Sequence, residues 1–370
     1  MTRSAGIFLL AFLLPSLNAQ GGQLKRATYY PAGQRPYRVV AAELTKSGSV
    51  DLAVADWASD QLIILLGNGD GTFQKPLKLP VPGPISLAAG DFNEDGNLDL
   101  VVVEDVGTGD GTVALFLGDG KGGFKLSASY LLGPVSVSVA VADFNGDGHL
   151  DVAVTNKGFT GPRNVMTFFG DGHGKLQGRE TYKMDGAPFG IAAGDLNGDH
   201  HPDLAVTNIS GYVSVLVNDG TGHFGKPVSY NAGGGEVVDV KIADLRHDGR
   251  NDLVIANASL SAVGVLLNKG DGAFGEVRLY PTHCDVEAVA VADLNLDGKL
   301  DVAVAANIDN SAFMYGKGDG SFGKPIPIKD AIGPNGGFSI AAGNFTPGKA
   351  PSLAIPIQDS GKVAILLNTQ

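Results

Sequence analysis

An all-β fold, a seven-bladed β-propeller of four-stranded antiparallel blades, is predicted by three observations in this sequence. A ten-residue acidic phrase recurs seven times, with starts 48 to 52 residues apart. Between its copies lie β-branched apolar runs broken by glycine-rich turns, Gly making up 54 of the 370 residues. The chain also begins, after a leader, with a strand pattern that its last repeat lacks. A period near fifty built only from strands and tight turns predicts a blade rather than a pair of stacked helices.

The elements follow in chain order. Arg3, the apolar run from Gly6 to Leu14 and the small residue Ala19 before Gln20 form a signal peptide, so Met1 to Ala19 is expected to be cleaved and the product exported. The remaining chain, 20–370, is expected to be one propeller. The apolar run is about half of the ~20 residues a membrane span requires, so no membrane span is expected. Cys284 is the sole cysteine, which excludes an intramolecular disulfide.

Each repeat parses the same way. In the third copy Val137 to Val141 is a first strand, the acidic phrase follows, Asp151 to Thr155 is a second strand and Val165 to Phe169 a third. The turn Gly170-Asp-Gly-His-Gly174 then leads to a fourth strand near Arg179 to Lys183. Ala27-Thr-Tyr-Tyr30 matches the fourth-strand pattern of Val228-Ser-Tyr230, and the chain stops at Ala364-Ile-Leu-Leu367, a third strand. The N-terminal strand is therefore expected to complete the last blade, sealing two edges that would otherwise invite aggregation.

The acidic phrase carries the chemistry. Oxygen-bearing side chains at positions 1, 3, 5 and 9, with Gly at position 6 for a sharp turn, resemble the first half of an EF-hand loop, where calcium collects 6 to 8 oxygens. Four copies keep all four positions: Asp91, Asn93, Asp95, Asp99; Asp143, Asn145, Asp147, Asp151; Asp195, Asn197, Asp199, Asp203; and Asp293, Asn295, Asp297, Asp301. At position 7, Asn97, His149, His201 and Lys299 would each add a backbone carbonyl. About four Ca2+ ions are expected. The third of these sets places His200 at the Gly position, at some backbone cost. A fifth copy holds Asp244, Asp248 and Asp252 as weaker ligands, with Arg246 in place of Asn, so that an internal guanidinium can stand in for the ion. Glu43-Thr45-Ser47-Asp51 is a doubtful site, and Asn344-Thr346-Gly348-Ser352 has lost every carboxylate. Asp, Asn and Gly also favour turns for their own sake, and the hairpins at Gly67 to Gly71 and Gly318 to Gly320 are assigned to turns alone.

The phrase Asp143-Phe-Asn-Gly-Asp-Gly-His-Leu-Asp-Val152, followed by Phe168-Phe-Gly-Asp-Gly172, resembles the FG-GAP/VCBS repeat family, whose best-known members are integrin α-subunit propellers. The resemblance spans 24–370. It implies calcium loops between first and second strands on one face, and partner contacts on the opposite face, built by the second-to-third and fourth-to-first connections.

The acidic balance, Lys+Arg 27 against Asp+Glu 39 for a net charge of −12, excludes nucleic acid as an expected partner. Four calcium ions would bring that charge to about −4. On the partner face the loops offer Trp57, Tyr37, Phe159 and Tyr212 as candidate contacts, with Arg35, Asp60, Arg163, Phe189, His283, Asp285, Glu287 and Phe338 nearby in the connections. Exposed aromatics beside polar groups suit sugar stacking or protein hot spots. Trp57, the single tryptophan, flanked by Asp56 and Asp60, is the leading candidate. The sequential His283-Cys284-Asp285 is not read as a catalytic or metal centre. Asn156, Asn208, Asn257 and Asn307, closing second strands, are expected to cap turns. The leading function is a non-catalytic, monomeric, exported module for an extracellular protein or glycan, with structural calcium. The alternatives are a carbohydrate-active enzyme, such as a polysaccharide lyase using the central channel, and a scaffold for an envelope complex.

Overall fold

The computed structural model describes residues 24–105, 111–133, 135–158, 163–307, 311–328 and 336–370. The predicted leader and Phe159 lie outside the described residues. Seven four-stranded antiparallel sheets follow one another along the chain. Blades 1 to 6 occupy residues 36–80, 84–133, 136–183, 188–231, 237–281 and 286–327, and blade 7 combines 341–366 with Thr28–Pro31. Blade 3 follows the sequence reading closely, with strands Ser136–Ala142, Asp151–Asn156, Asn164–Gly170 and Leu176–Lys183.

Burial explains the strand composition. Second strands such as Asp151–Asn156 and Asp252–Asn257 are buried along their whole length, flanked by strands in their own sheet and covered by the neighbouring blades. Their continuous apolar runs reflect burial on both faces. Fourth strands such as Val228–Asn231 lie at the outer rim and are mostly exposed. Among the described residues the apolar interior divides into seven clusters, each joining two adjacent blades; Val101, Val103, Leu115, Val152, Val154 and Phe168, for example, pack together between blades 2 and 3. One of these clusters closes the ring, bringing Val39, Val54 and Ile63 of blade 1 onto Phe345, Ala354 and Ile365 of blade 7.

The expected closure is present. Thr28, Tyr29, Tyr30 and Pro31 pair antiparallel with Ile365, Ala364, Val363 and Lys362. Pairing continues to Leu24, which bridges Asn368, so the first and last described segments lie in one blade.

A feature invisible in the periodicity recurs at the start of the first strands. In six blades the register slips by one residue against the second strand, between Pro36 and Arg38, Pro84 and Ser86, Ser136 and Ser138, Pro188 and Ile191, Val237 and Asp239, and Val286 and Ala288. A β-bulge leaves one residue unpaired and re-aims its side chain.

Candidate functional site

At the end of each blade where first strand leads to second, the acidic phrase folds on its own side chains. The position-1 carboxylate accepts the N–H of position 6, from Gly96 to Asp91 at 2.8 Å, Gly148 to Asp143 at 2.9 Å, His200 to Asp195 at 3.0 Å and Gly298 to Asp293 at 2.8 Å. The position-3 amide oxygens of Asn93, Asn145, Asn197 and Asn295 accept the N–H of Asp95, Asp147, Asp199 and Asp297. Those aspartates in turn accept the N–H of Asn97, His149, His201 and Lys299. At position 9 the Asp is fully buried and accepts two N–H groups, as Asp99 does from Phe92 and from Gly118, both at 2.8 Å. This last pair ties the loop to the end of the third strand.

The backbone at position 6 is left-handed, as the sequence requires, and His200 is forced to φ +70° there. Position 4 is left-handed too: Glu94 at +58° and Leu296 at +55° occupy a region that side chains with a Cβ adopt at a cost.

The charges are in conflict within these loops. Burial pushes Asp151, Asp203 and Asp301 up to about 6, and the neighbouring Asp147, Asp199 and Asp195, and Asp297 and Asp293, add to the rise. Burial raises Asp99 as well, with Asp91 and Asp95 contributing. Oδ1 of Asp91 is shielded from solvent and has no hydrogen-bond donor. Carboxylates that repel one another and a buried oxygen without a donor are what an oxygen-seeking cation relieves, and an all-oxygen donor set fits calcium. The residues that would hold it are those at positions 1, 3, 5 and 9, with the position-7 carbonyl.

The remaining three loops differ. In blade 5 the guanidinium of Arg246 lies between Asp248, at 3.0 Å, and Asp252, at 2.8 Å. In blade 1 Glu43 accepts the Gly48 N–H at 2.6 Å, while the Thr45 hydroxyl donates to Asp51 at 2.9 Å. In blade 7 Ser352 replaces the buried Asp and its hydroxyl accepts the N–H of Asn368 at 3.0 Å. These loops keep the fold of the turn with other groups.

The opposite face holds a cavity of about 380 Å³ lined by Arg35, Tyr37, Trp57, Ile85, Asp105, Val135, Ser136, Val137, Lys157, Phe189, Phe338 and Gln358. Its residues come from blades 1, 2, 3, 4 and 7, which places it at the mouth of the central channel. Four of them, Tyr37, Ile85, Val137 and Phe189, sit in the bulges of their first strands. Tyr37 stacks on Phe338 with centroids 5.4 Å apart, Arg35 lies 6.0 Å from the Trp57 ring and Lys157 lies 4.9 Å from the Phe189 ring. Trp57 is 46% exposed. Below the mouth a second cavity of about 360 Å³ runs along the first strands of all seven blades, with Arg38, Asp239 and Lys241 as its charged residues. Asp239 is committed to Lys241 at 2.9 Å and to the Val289 N–H at 3.1 Å.

Four segments, residues 18–102, 103–154, 195–255 and 244–304, match the model of the FG-GAP-like repeat. The chain belongs to this repeat family. No curated protein sequence matches this FG-GAP propeller. Among solved structures it is similar to BBS1N, crystallised in complex with ARL6DN, with a TM-score of 0.64 and 14% identity over 93% of this chain and 96% of that one. It is also similar to streptogramin B lyase, with a TM-score of 0.59 and 14% identity over 94% and 98% of the two chains. A protein of unknown function from Desulfotomaculum acetoxidans DSM 771 gives 0.58 at 12% identity, covering 81% and 87%. At such identities the likeness is one of fold.

The FG-GAP propeller gathers some candidate partner residues and scatters others. Arg35, Tyr37, Trp57, Phe189 and Phe338 line one cavity. Tyr212 is 43% exposed at the start of a third strand and does not line it. Asp60 accepts the Gly83 N–H at 2.8 Å and serves the turn. Asn156, Asn208 and Asn257 cap their turns as expected, accepting N–H groups from Gly158, Ser210 and Leu260. Sequence reasoning missed Lys157, Asp105, Ile85 and Gln358. Only the bulge, which shifts alternation by one residue, brings Ile85 and Val137 to the mouth, and the proline that precedes it at Ile85 is absent at Val137, where Ser136 stands.

Proposed function

We propose that this FG-GAP propeller is an exported, non-catalytic binding module that receives an extracellular protein or glycan at the mouth of its channel, with calcium as a structural ion in blades 2, 3, 4 and 6. The observation that carries the reading is the aromatic cavity on the face away from the acidic loops, where Trp57, Tyr37, Phe338 and Phe189 converge with Arg35 and Lys157. Aromatic and arginine anchors in a concave, partly desolvated patch are the usual carriers of binding energy. Separation of the two faces supports a division of labour, the loops holding the scaffold and the mouth meeting the partner. BBS1N, a propeller of similar fold, was crystallised with a protein partner, which is a precedent for this use of the architecture. The leader Met1 to Ala19 supports export.

The test is capture of the protein, residues 20–370, on arrays of glycans and matrix proteins, beside Trp57→Ala. Loss of the exposed indole is expected to weaken capture about 30-fold, about 2 kcal/mol, with an unchanged melting temperature. Capture that survives the substitution would place the partner elsewhere on the ring.

A further inference from the structure

We infer that Arg246 is a built-in cation that makes the loop of blade 5 independent of metal, and that among the ligand positions it alone separates this loop from a fifth calcium site. The inference rests on the calcium reading proposed for the four complete loops. Blade 5 retains Asp244, Asp248, Gly249 and Asp252 at positions 1, 5, 6 and 9, and departs from the complete loops only at position 3 among the ligand positions, where Arg246 stands in place of Asn.

Its guanidinium lies between the carboxylates of positions 5 and 9. Nη1 lies 3.0 Å from Asp248 Oδ2, while Nε and Nη2 donate to the two oxygens of Asp252 at 3.2 and 2.8 Å, a bidentate pairing. Nη2 also donates to the Asn268 carbonyl at 2.9 Å. Asp248 is held by a second arginine, Arg250, at 2.6 Å. The loop keeps two of its siblings' internal bonds, Gly249 donating to Asp244 at 2.8 Å and Arg250 N–H to Asp248 at 3.1 Å, while the Asp248 N–H turns to Asp244 at 3.1 Å. A planar, permanently charged guanidinium thus supplies the positive charge and the directed donors that bind two carboxylates together. A divalent ion entering between Asp248 and Asp252 would meet a like charge already seated there.

The contact with Asn268 extends the effect. The Asn268 side chain donates to the Leu196 carbonyl at 2.8 Å, and Asn251 donates to the Asp195 carbonyl at 2.9 Å, both within the loop of blade 4. That loop carries the strained His200. A metal-independent blade 5 therefore buttresses the complete loop whose backbone is least suited to its turn.

The experiment counts bound calcium by equilibrium dialysis and follows backbone amide exchange with calcium and with chelator, using residues 20–370 and Arg246→Asn. The unaltered protein is expected to bind four equivalents, and the variant five. In chelator, the amides of Gly96, Gly148 and Gly298 should exchange at least tenfold faster, while Gly249 is unchanged; in Arg246→Asn, Gly249 should become chelator-sensitive like the rest. Should Arg246→Asn fold only when calcium is supplied, the inference is supported in the same sense. Five equivalents in the unaltered protein, or a Gly249 amide that loosens on chelation, would overturn it, as would a folded variant that still binds four. Failure of the underlying calcium reading looks different: neither protein binds calcium, and no blade responds to chelator.

Discussion

Glu287 occupies in blade 6 the bulge position that Tyr37, Ile85, Val137, Phe189 and Val238 occupy in the other bulged blades. It is the single acid in an otherwise apolar set. Burial pushes its carboxyl up to about 7, nearby Asp285 and Glu236 push the same way, and Arg38 opposes them. Because the folded state holds this proton more tightly than the unfolded chain, the group's contribution to stability is complete below about 4.5 and is lost as pH rises through about 7. Urea unfolding of Glu287→Gln beside the unaltered protein should show a stability difference that grows in favour of the variant between pH 5 and 8. A constant difference across that range would mean that Glu287 does not titrate there. The acidic side chains of the loops are common to both proteins and cancel in the comparison.

At the level of the element, the loops are not closed units but are held by the next blade. Asn218, at the end of the third strand of blade 4, donates to the Phe144 carbonyl in the loop of blade 3 at 2.7 Å and to Pro202 in its own loop at 3.0 Å. Asn368 of blade 7 does the same for Leu294 in blade 6, at 2.6 Å, and for Pro351. Asn218 is also fully engaged as an acceptor, from Gly220 and Gly222. Asn218→Ala removes four contacts and strands the buried Phe144 carbonyl, so a loss of about 2–3 kcal/mol is expected in denaturant unfolding. A change below about 0.5 kcal/mol would show these bonds to be replaceable by water. A second seam recurs at the rim, where the Tyr182 hydroxyl accepts the Phe224 N–H at 3.2 Å and Tyr130 accepts that of Leu176 at 2.8 Å. The strands, the acidic loops and the closure were legible because each follows from residue type at fixed spacing: alternation or apolar runs for strands, oxygen and glycine positions for the turns. The asparagine and tyrosine seams were not, because a single polar residue in a turn gives no sign of which blade it reaches. The channel mouth was half legible for a related reason. Phe189 and Phe338 announced themselves as aromatics in connections, whereas Ile85 looks like ordinary strand interior until the bulge displaces it.

For the whole molecule, what matters is that the ring is fastened by one short strand rather than by a covalent bond. Thr28–Pro31 contributes the fourth strand of blade 7, and Lys25 N–H bonds the Leu367 carbonyl at 2.8 Å beside it. The Ala32 N–H bonds the Gly361 carbonyl at 2.8 Å and extends the seam toward the other face. Tyr30 adds a contact across to blade 1, its ring edge-to-face with Phe73 at 5.4 Å and its hydroxyl accepting the Phe73 N–H at 3.3 Å. The segment therefore joins the last blade to the first, and without it Lys362–Leu366 would be an open edge of mostly apolar residues. Removing residues 24–31 is expected to lower the melting temperature and to produce concentration-dependent association through that edge, measured by light scattering. Register decides how the lost strand can be restored. Leu24 faces Asn368 and Thr28 faces Ile365, so the N-terminal segment runs back along the C-terminal strand as though the two were arms of one hairpin. Grafting residues 24–34 after Gln370 through a short Asn-Gly-containing turn, with the original copy deleted, should give blade 7 the local connectivity of its six neighbours. If pairing alone fastens the ring, this permuted chain will be monomeric and melt within a few degrees of the original, while the simple deletion will not. A permutant that aggregates like the deletion would mean that the linkage from Pro31 into blade 1, and not the pairing with Lys362–Leu366, holds the ring shut.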